Sequence, residues 1–425
     1  MSGHALRVPV TTRFIPRTWR RVRGGLTLTR MRSFVAAAFL VVAAPSARQS
    51  IPVRRLGRPT ATSAERLGPT VLLRGLSDGR VLVNDVVNRR VLLFSADLKS
   101  FTTVIDSSSP STRVTVARAG TLIPARADTT WFVDFPAQSL IVIDPAGRIA
   151  RTMAAPQGRD MIALAGGGSV GLDVHGRLVY RVGLAAKRET LTDGSDGVVL
   201  RPADSAALVR ADFDTRAVDT AIKIASATTA YTVTTPNPRG GPAALKVVLS
   251  LLPVGDEWVV TSDGSIAVVR TRDYHIDWVG PDGARRSSPP MPFDRRPFTD
   301  DDKHRFMDSV TAAFDSARAH PQMTPTGLPI IVPDLGFVPL SEAPDFYPPI
   351  QHGGVKADLA GRIWILPRTS SHAQGGALYD VIDHDGRIVE RVQLPADRTI
   401  LGFGARGTVY LAAYEAGHTT IERVQ

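Results

Sequence analysis

The chain has 425 residues, 43% hydrophobic and 21% charged, an ordinary globular balance that excludes wholesale disorder, collagen and coiled coil. It contains no cysteine, which removes disulfides, thiolate-held metals, cysteine nucleophiles and lipid attachment through an N-terminal cysteine. Nine of the 51 basic residues lie in 1–48 with no acidic residue, so the net charge of +11 belongs to that leader, and beyond it 42 basic residues face 40 acidic ones. A body so nearly neutral has no broad phosphate-binding field, and nucleic acid is not an expected partner.

In the leader, Arg30 and Arg32 precede eleven apolar residues, 34–44, followed by Pro45, Ser46 and Ala47. A basic start, a short apolar run and small residues after it have the order of a secretory signal peptide, here 31–48. The apolar run is shorter than the roughly 20 residues that a membrane span needs. Met31 would serve as a start, which makes 1–30 an N-terminal extension. The twin arginine Arg20-Arg21 lies too far from the apolar run to belong to a twin-arginine signal. The mature chain is expected outside the cytoplasm, in the periplasm or extracellular, with no transmembrane segment and as a monomer.

From residue 78 a short unit recurs: a turn carrying Gly (or Asp-Thr), then a β-branched or alternating strand. Its copies are 78–85, 128–134, 175–181, 263–270, 360–366 and 406–412. Each leads through a loop into a second strand, several of which end in a further Asp/Gly turn, as at 140–147, 276–283 and 379–386. Val, Ile, Tyr and Trp at period two between such turns are strand and hairpin signals. Modules of this kind at roughly 45–50-residue spacing predict an all-β fold, a six-bladed β-propeller. The last unit ends without an outer strand, and residues 51–57 are expected to supply it, which would cover an open sheet edge. Residues 51–425 then form one propeller rather than two domains.

The first unit has the pattern Asp85-x-x-Asn88-x-Arg90 between two strands, the second ending in Phe94. This resembles the NHL repeat, and the mature chain resembles exported bacterial propellers of the NHL-repeat-like type. The second unit keeps Asp134 but has Ala137 in place of the Asn, and later units lack the motif. The resemblance implies the fold along the whole chain and leaves the ligand open. With that family's strand order, the Gly turns lie at the bottom of the propeller and the other loops at the top.

Three long insertions, 182–207, 226–250 and 292–350, are then expected on the top face. The third carries the clearest helical pattern: Thr299 as N-cap, acidic residues at 300–302, and Phe306, Val310, Ala313, Phe314 and Ala317 on one face, with His320-Pro321 as stop. This helix falls between blades four and five. The apolar stretch 328–349 reads either as a lid over the channel mouth or as cover for an apolar blade edge.

No His-Glu-x-x-His, Walker loop or Gly-x-Ser-x-Gly is present, and no catalytic residue is assigned. The glycines at 166–168 precede a strand, so they aim no helix terminus at phosphate. With only three asparagines, an oxygen cage for a divalent metal such as calcium is an alternative without an identifiable ligand set, and no cofactor is the first expectation. Candidate ligand-binding residues are Asp85, Asn88 and Asp134 in the motif loops, Arg272, Tyr274 and His275 in the densest polar, aromatic loop, and His352 beside an inner strand. Residues such as Asp85 and Asn88 more often bond their own loop, and the loop at 270–275 reads equally as a solvated hairpin with a local Arg–Asp pair. Trp131, Trp258, Trp278 and Trp364 are expected in the blade core. The functional expectation is a binding scaffold for a protein, peptide or envelope ligand on the top face. Its rival is a metal-dependent hydrolase or lyase of the lactonase kind, which would require three or more Asp, Glu, Asn or His side chains converging on the axis.

Overall fold

The computed structural model describes residues 51–106, 121–135, 137–155, 164, 169–183, 185–191, 197–237, 239–240, 243–321 and 331–425. The expected extension, the expected signal peptide and the glycines at 166–168 lie outside these residues, as does most of the 194–197 turn. Two short strands, β1 (Val53–Arg55) and β2 (Ala61–Thr62), come before the first sheet.

The first sheet is β3 (Val71–Gly75), β4 (Val81–Asp85), β5 (Arg90–Phe94) and β6 (Phe101–Asp106), each antiparallel to the next. The second repeats this meander with β7 (Leu122–Pro124), β8 (Thr130–Asp134), β9 (Ser139–Ile143) and β10 (Ile149–Ala154). The third is β11 (Gly171–Leu172), β12 (Leu178–Arg181), β15 (Ser205–Ala211) and β16 (Val218–Ala225), interrupted by β13 (Ala186–Thr190) and β14 (Val198–Pro202). After β17 (Ala230–Thr235) and β18 (Ala244–Leu249) comes a fourth sheet, β19 (Glu257–Val260), β20 (Ile266–Arg270), β21 (His275–Val279) and β22 (Arg285–Ser287). Helix α1 (Asp300–Ala319) and β23 (Asp334–Phe337) precede a fifth, β24 (Ile350–Ala357), β25 (Ile363–Pro367), β26 (Leu378–Ile382) and β27 (Ile388–Gln393). The sixth is β28 (Arg398–Phe403), β29 (Val409–Glu415) and β30 (His418–Val424).

Packing between sheets follows the period of two along each second strand. In β4, Val81 and Val83 face the sixth sheet, where they meet Tyr410 and Ile421, while Leu82 faces Phe132 and Ile141 of the second. In β20, Ile266 and Val268 pack against the third sheet, and Ala267 and Val269 against the fifth. In β25, Ile363 and Ile365 meet the fourth sheet, and Trp364 meets Phe403 and Val409 of the sixth. Both faces of each sheet are therefore apolar, and the chain of sheet-to-sheet cores returns to its start. This is the architecture of a β-propeller, all-β with one long helix among the described residues.

A shared turn sets this geometry. Asp173, Asp358 and Asp383 each accept backbone N–H groups two and four residues on, at 2.9–3.0 Å, and Gly176, Gly361 and Gly386 between them take positive φ of 79–80° or 78°. The side chain replaces a backbone partner, and the glycine takes a conformation that a Cβ would strain. Three of the four expected tryptophans are buried, Trp258, Trp278 and Trp364; Trp131 is half-buried, edge-on to Phe213.

The sixth sheet is completed by β2, whose Ala61 and Thr62 pair with Arg423 and Glu422. Residues 51–57, expected in that role, instead place β1 parallel on β27 at the edge of the fifth sheet. Leu56 is buried against Trp364 and Leu394 and anchors that strand one sheet earlier, while Leu67 and the Ser63 hydroxyl fasten the following residues to β30. The N-terminal segment thus straps two outer edges rather than one.

The three insertions pair with one another in a separate sheet of order β13-β14-β17-β18-β23. Its inner face shares a small core of Val248, Leu251, Leu252, Phe298 and Val338 with Phe306 and Met307 of α1. Thr299 and Asp302 form a reciprocal capping box at the start of α1, and His320 ends it. Phe306, Val310 and Phe314 are half-buried as the pattern requires, whereas Ala313 and Ala317 are exposed and Lys303 is buried. Among the described residues, none of 182–207, 226–250 or 292–349 lines the central cavity. The stretch 331–349 covers the insertion sheet and not the channel mouth, because its apolar side chains find partners there.

Candidate functional site

The inner strands β3, β7, β11, β19, β24 and β28 line one cavity of about 880 Å³, within the roughly 300–1,000 Å³ usual for small-molecule sites. A sheet's inner edge strand has no partner toward the axis, so side chains and turns of different sheets meet there.

At one end of this cavity stand His352 and Glu257. β24 carries His352 and β19 begins at Glu257, so two neighbouring inner strands bring together residues 95 positions apart. The His352 Nδ1 lies 2.7 Å from Glu257 Oε1, and the imidazole is 83% exposed. The Glu257 hydrogen bond raises the His352 pKa above its ordinary value; burial and the positive charges of Arg181 and Arg368 oppose that rise. A carboxylate on one ring nitrogen orients the imidazole and leaves Nε2 as the working atom, the arrangement of a positioned general acid–base.

Further down the same strand, Lys356 lines the cavity, and burial alone lowers its pKa. At the far end, Arg74 donates to the carbonyls of Thr129 and Ala125 and to the Thr130 hydroxyl. Its burial lowers the pKa to about 10, against the attraction of Asp128.

Of the residues expected from sequence to bind a ligand, only His352 lines the cavity. Asp85 is fully buried and accepts from Gly68 N at 3.0 Å, Asn88 Nδ2 at 2.8 Å and Arg90 Nε at 3.0 Å. Arg90 also reaches Glu65. Asp85 and Asn88 thus hold their own loop, the structural alternative the sequence already allowed. Asp134 is buried with a weak contact to Ala137 N at 3.4 Å, and burial raises its pKa; the missing Asn of the second unit leaves this carboxylate with less support than Asp85. Arg272 is exposed, and His275 pairs with Asp277 at 3.3 Å. Tyr274 is 1% exposed, edge-on to Phe293 in the core between fourth and fifth sheets, so it offers no surface for recognition. Its positive φ turns the side chain inward where the loop pattern suggested an outward one. Arg270 closes the loop by binding Asp256 and Asp277 at 2.6 and 2.7 Å.

Glu257 and Lys356 escaped the sequence reading. An acid directly before the apolar run 258–260, and a lysine following the buried Val355 on an inner strand, were the available signals.

A divalent metal requires several converging oxygen or nitrogen ligands. Among the described residues no group of three His, Asp or Glu side chains could hold one. The cavity acids are already engaged: Asp173 by Arg177, Asp358 by Arg362 and the Trp364 indole, and Asp256 by Arg270. The described residues therefore do not fit the calcium alternative. Also among these residues, no helix is long and apolar enough to cross a membrane.

No known protein family matches the sequence, and no curated protein does. Solved structures similar in outline include virginiamycin B lyase from Staphylococcus aureus, at 12% identity over 85% of this chain and 98% of that one, with a TM-score of 0.37. A calcium-binding protein, regucalcin, from Agrobacterium tumefaciens matches at 10% identity over 88% and 96%, TM-score 0.36. A gluconolactonase from Xanthomonas campestris matches at 12% over 88% and 99%, TM-score 0.31. Likeness at this level assigns no role to any residue here.

Proposed function

We propose that this protein is an exported six-bladed β-propeller, with α1 inserted between the fourth and fifth blades, that takes a small molecule into the mouth of its channel. There His352, oriented by Glu257, acts as the acid–base group of a hydrolase- or lyase-type reaction. The observation that carries the reading is the 2.7 Å carboxylate–imidazole pair at the edge of an 880 Å³ cavity. Six inner strands lining one cavity support the blade count, and the leader supports export to the periplasm or beyond. A panel of lactones, esters and other substrates of elimination tests it. Turnover that His352→Asn abolishes, at unchanged melting temperature, supports the reading; turnover indifferent to His352 overturns it. N-terminal sequencing of the exported chain tests cleavage near residue 48.

The outer face of the insertion sheet favours a second reading, docking of a protein, peptide or envelope partner. Leu200 and Leu245 stand on that face, bracketing the strand that carries Thr232 and Thr234, and are 40% and 45% exposed. Replacing both with Glu should abolish retention in the envelope fraction and leave channel chemistry intact. Retention by the double variant would remove this reading.

A further inference from the structure

Among the described residues, the charges lining the cavity are not all paired. Each carboxylate that lines it is already held: Asp128 by the backbone and hydroxyl of Ser77, Asp173, Asp256 and Asp358 by arginines, and Glu257 by His352. Lys356 is different. It sits near the end of β24, after Val355, which is buried against the fourth sheet, and two residues before Asp358, which the turn consumes. Leu401, Gly402 and Phe403 of β28 line the same cavity. No described residue accepts a hydrogen bond from Nζ or pairs with it. Lys303, the other lysine drawn into the fold, has Asp300 at 3.2 Å. An ammonium removed from bulk water is costly unless an anion meets it. Lys356 is half-buried, and burial lowers its pKa with no charge among the described residues opposing that shift.

We propose that the channel binds a small molecule carrying an oxyanion, a carboxylate or phosphate, whose oxygens pair with Lys356 Nζ. This rests on the channel being the ligand site, as above, and not on His352 acting in catalysis. The ligand's charge replaces the counter-ion that no described side chain provides, and its uncharged part extends along the apolar inner strands toward Glu257 and His352. Hydrogen bonds from an ammonium to an oxyanion are among the stronger ones, so Lys356 would anchor the ligand and set its direction.

The chain has six lysines, Lys99, Lys187, Lys223, Lys246, Lys303 and Lys356, few enough to follow one by one. Pyridoxal 5′-phosphate combines an oxyanion with an aldehyde. The neutral amine attacks the aldehyde carbon, water leaves, and borohydride reduces the resulting imine to a stable amine that peptide mass spectrometry locates. With the full chain, Lys356 should be labelled ahead of the other five, since a lowered pKa raises the fraction of neutral, reactive amine. Inorganic phosphate or succinate should suppress labelling of Lys356 alone, and the more effective competitor identifies the oxyanion. Labelling of Lys356 no faster than the rest, or suppressed by neither anion, overturns the proposal. His352→Asn should keep both the labelling and its suppression, so loss of turnover in that variant is distinguishable from loss of the anion site.

Discussion

Asp358→Ala isolates what a turn aspartate does beyond shaping its turn. The Asp358 carboxylate accepts from Ala360 N and Arg362 N at 3.0 Å, Arg362 Nε at 2.8 Å and the Trp364 indole Nε1 at 3.0 Å. Asp383 heads the same Asp-x-x-Gly-Arg turn, accepting from Asp385 N and Arg387 N at 2.9 Å, but no indole reaches it and it is only half-buried. Losing the turn contacts is common to both sites and costs about 1 kcal/mol. The Arg362 pair adds little, because Arg362 is one-third exposed and keeps Glu390 at 3.1 Å. What differs is Trp364, 1% exposed, whose N–H would be stranded in the core between fifth and sixth sheets. An unmet buried donor costs about 1–3 kcal/mol, so Asp358→Ala should lose about 2–4 kcal/mol and Asp383→Ala about 1 kcal/mol. Urea denaturation followed by tryptophan fluorescence measures both. Trp364→Phe in the Asp358→Ala background should recover part of the difference, because no donor is then left unmet. Equal losses at the two aspartates, or no coupling between residues 358 and 364, would refute the reasoning.

Glu257→Gln removes the charge that raises the His352 pKa, so the imidazole should titrate lower, as read by NMR of its ring protons. The sign for stability follows: protonated His352 is favoured in the folded chain, and its contribution is complete below the ordinary histidine pKa and lost as pH rises through the folded value. The Gln variant should lack that pH dependence in acid-side melts. Thr299→Ala breaks the capping box with Asp302 at the start of α1 and should destabilise the insertion by about 0.5–2 kcal/mol; hydrogen exchange should show α1 opening sooner with the propeller sheets unchanged. Deleting 51–68 strips β1 and β2 from two outer edges, and the exposed edge of β30 should pair between molecules, seen as dimers or larger species by size-exclusion chromatography.

Much of the fold was legible because it is encoded locally. A turn that needs an Asp to accept two backbone N–H groups and a Gly at positive φ leaves the same letters wherever it recurs, as at 173–177, 358–362 and 383–387. Thr299 with Asp302 marked the start of α1 for the same reason. Which loop residues face a ligand was not legible, because a motif shows which side chains are polar but not where their partners lie: Asp85 is satisfied by Gly68, Asn88 and Arg90, and Tyr274 is buried. Which N-terminal residues close which sheet depended on Leu56 and Leu67 finding cores next to residues more than 300 positions away. The pairing of Glu257 with His352, the isolation of Lys356, and the joining of three insertions into one sheet are likewise products of tertiary structure. Short-range hydrogen bonding writes itself into neighbouring residues, whereas a cavity on a propeller axis is assembled from strands far apart in the chain, whose charges acquire partners, or fail to, only once the ring has closed.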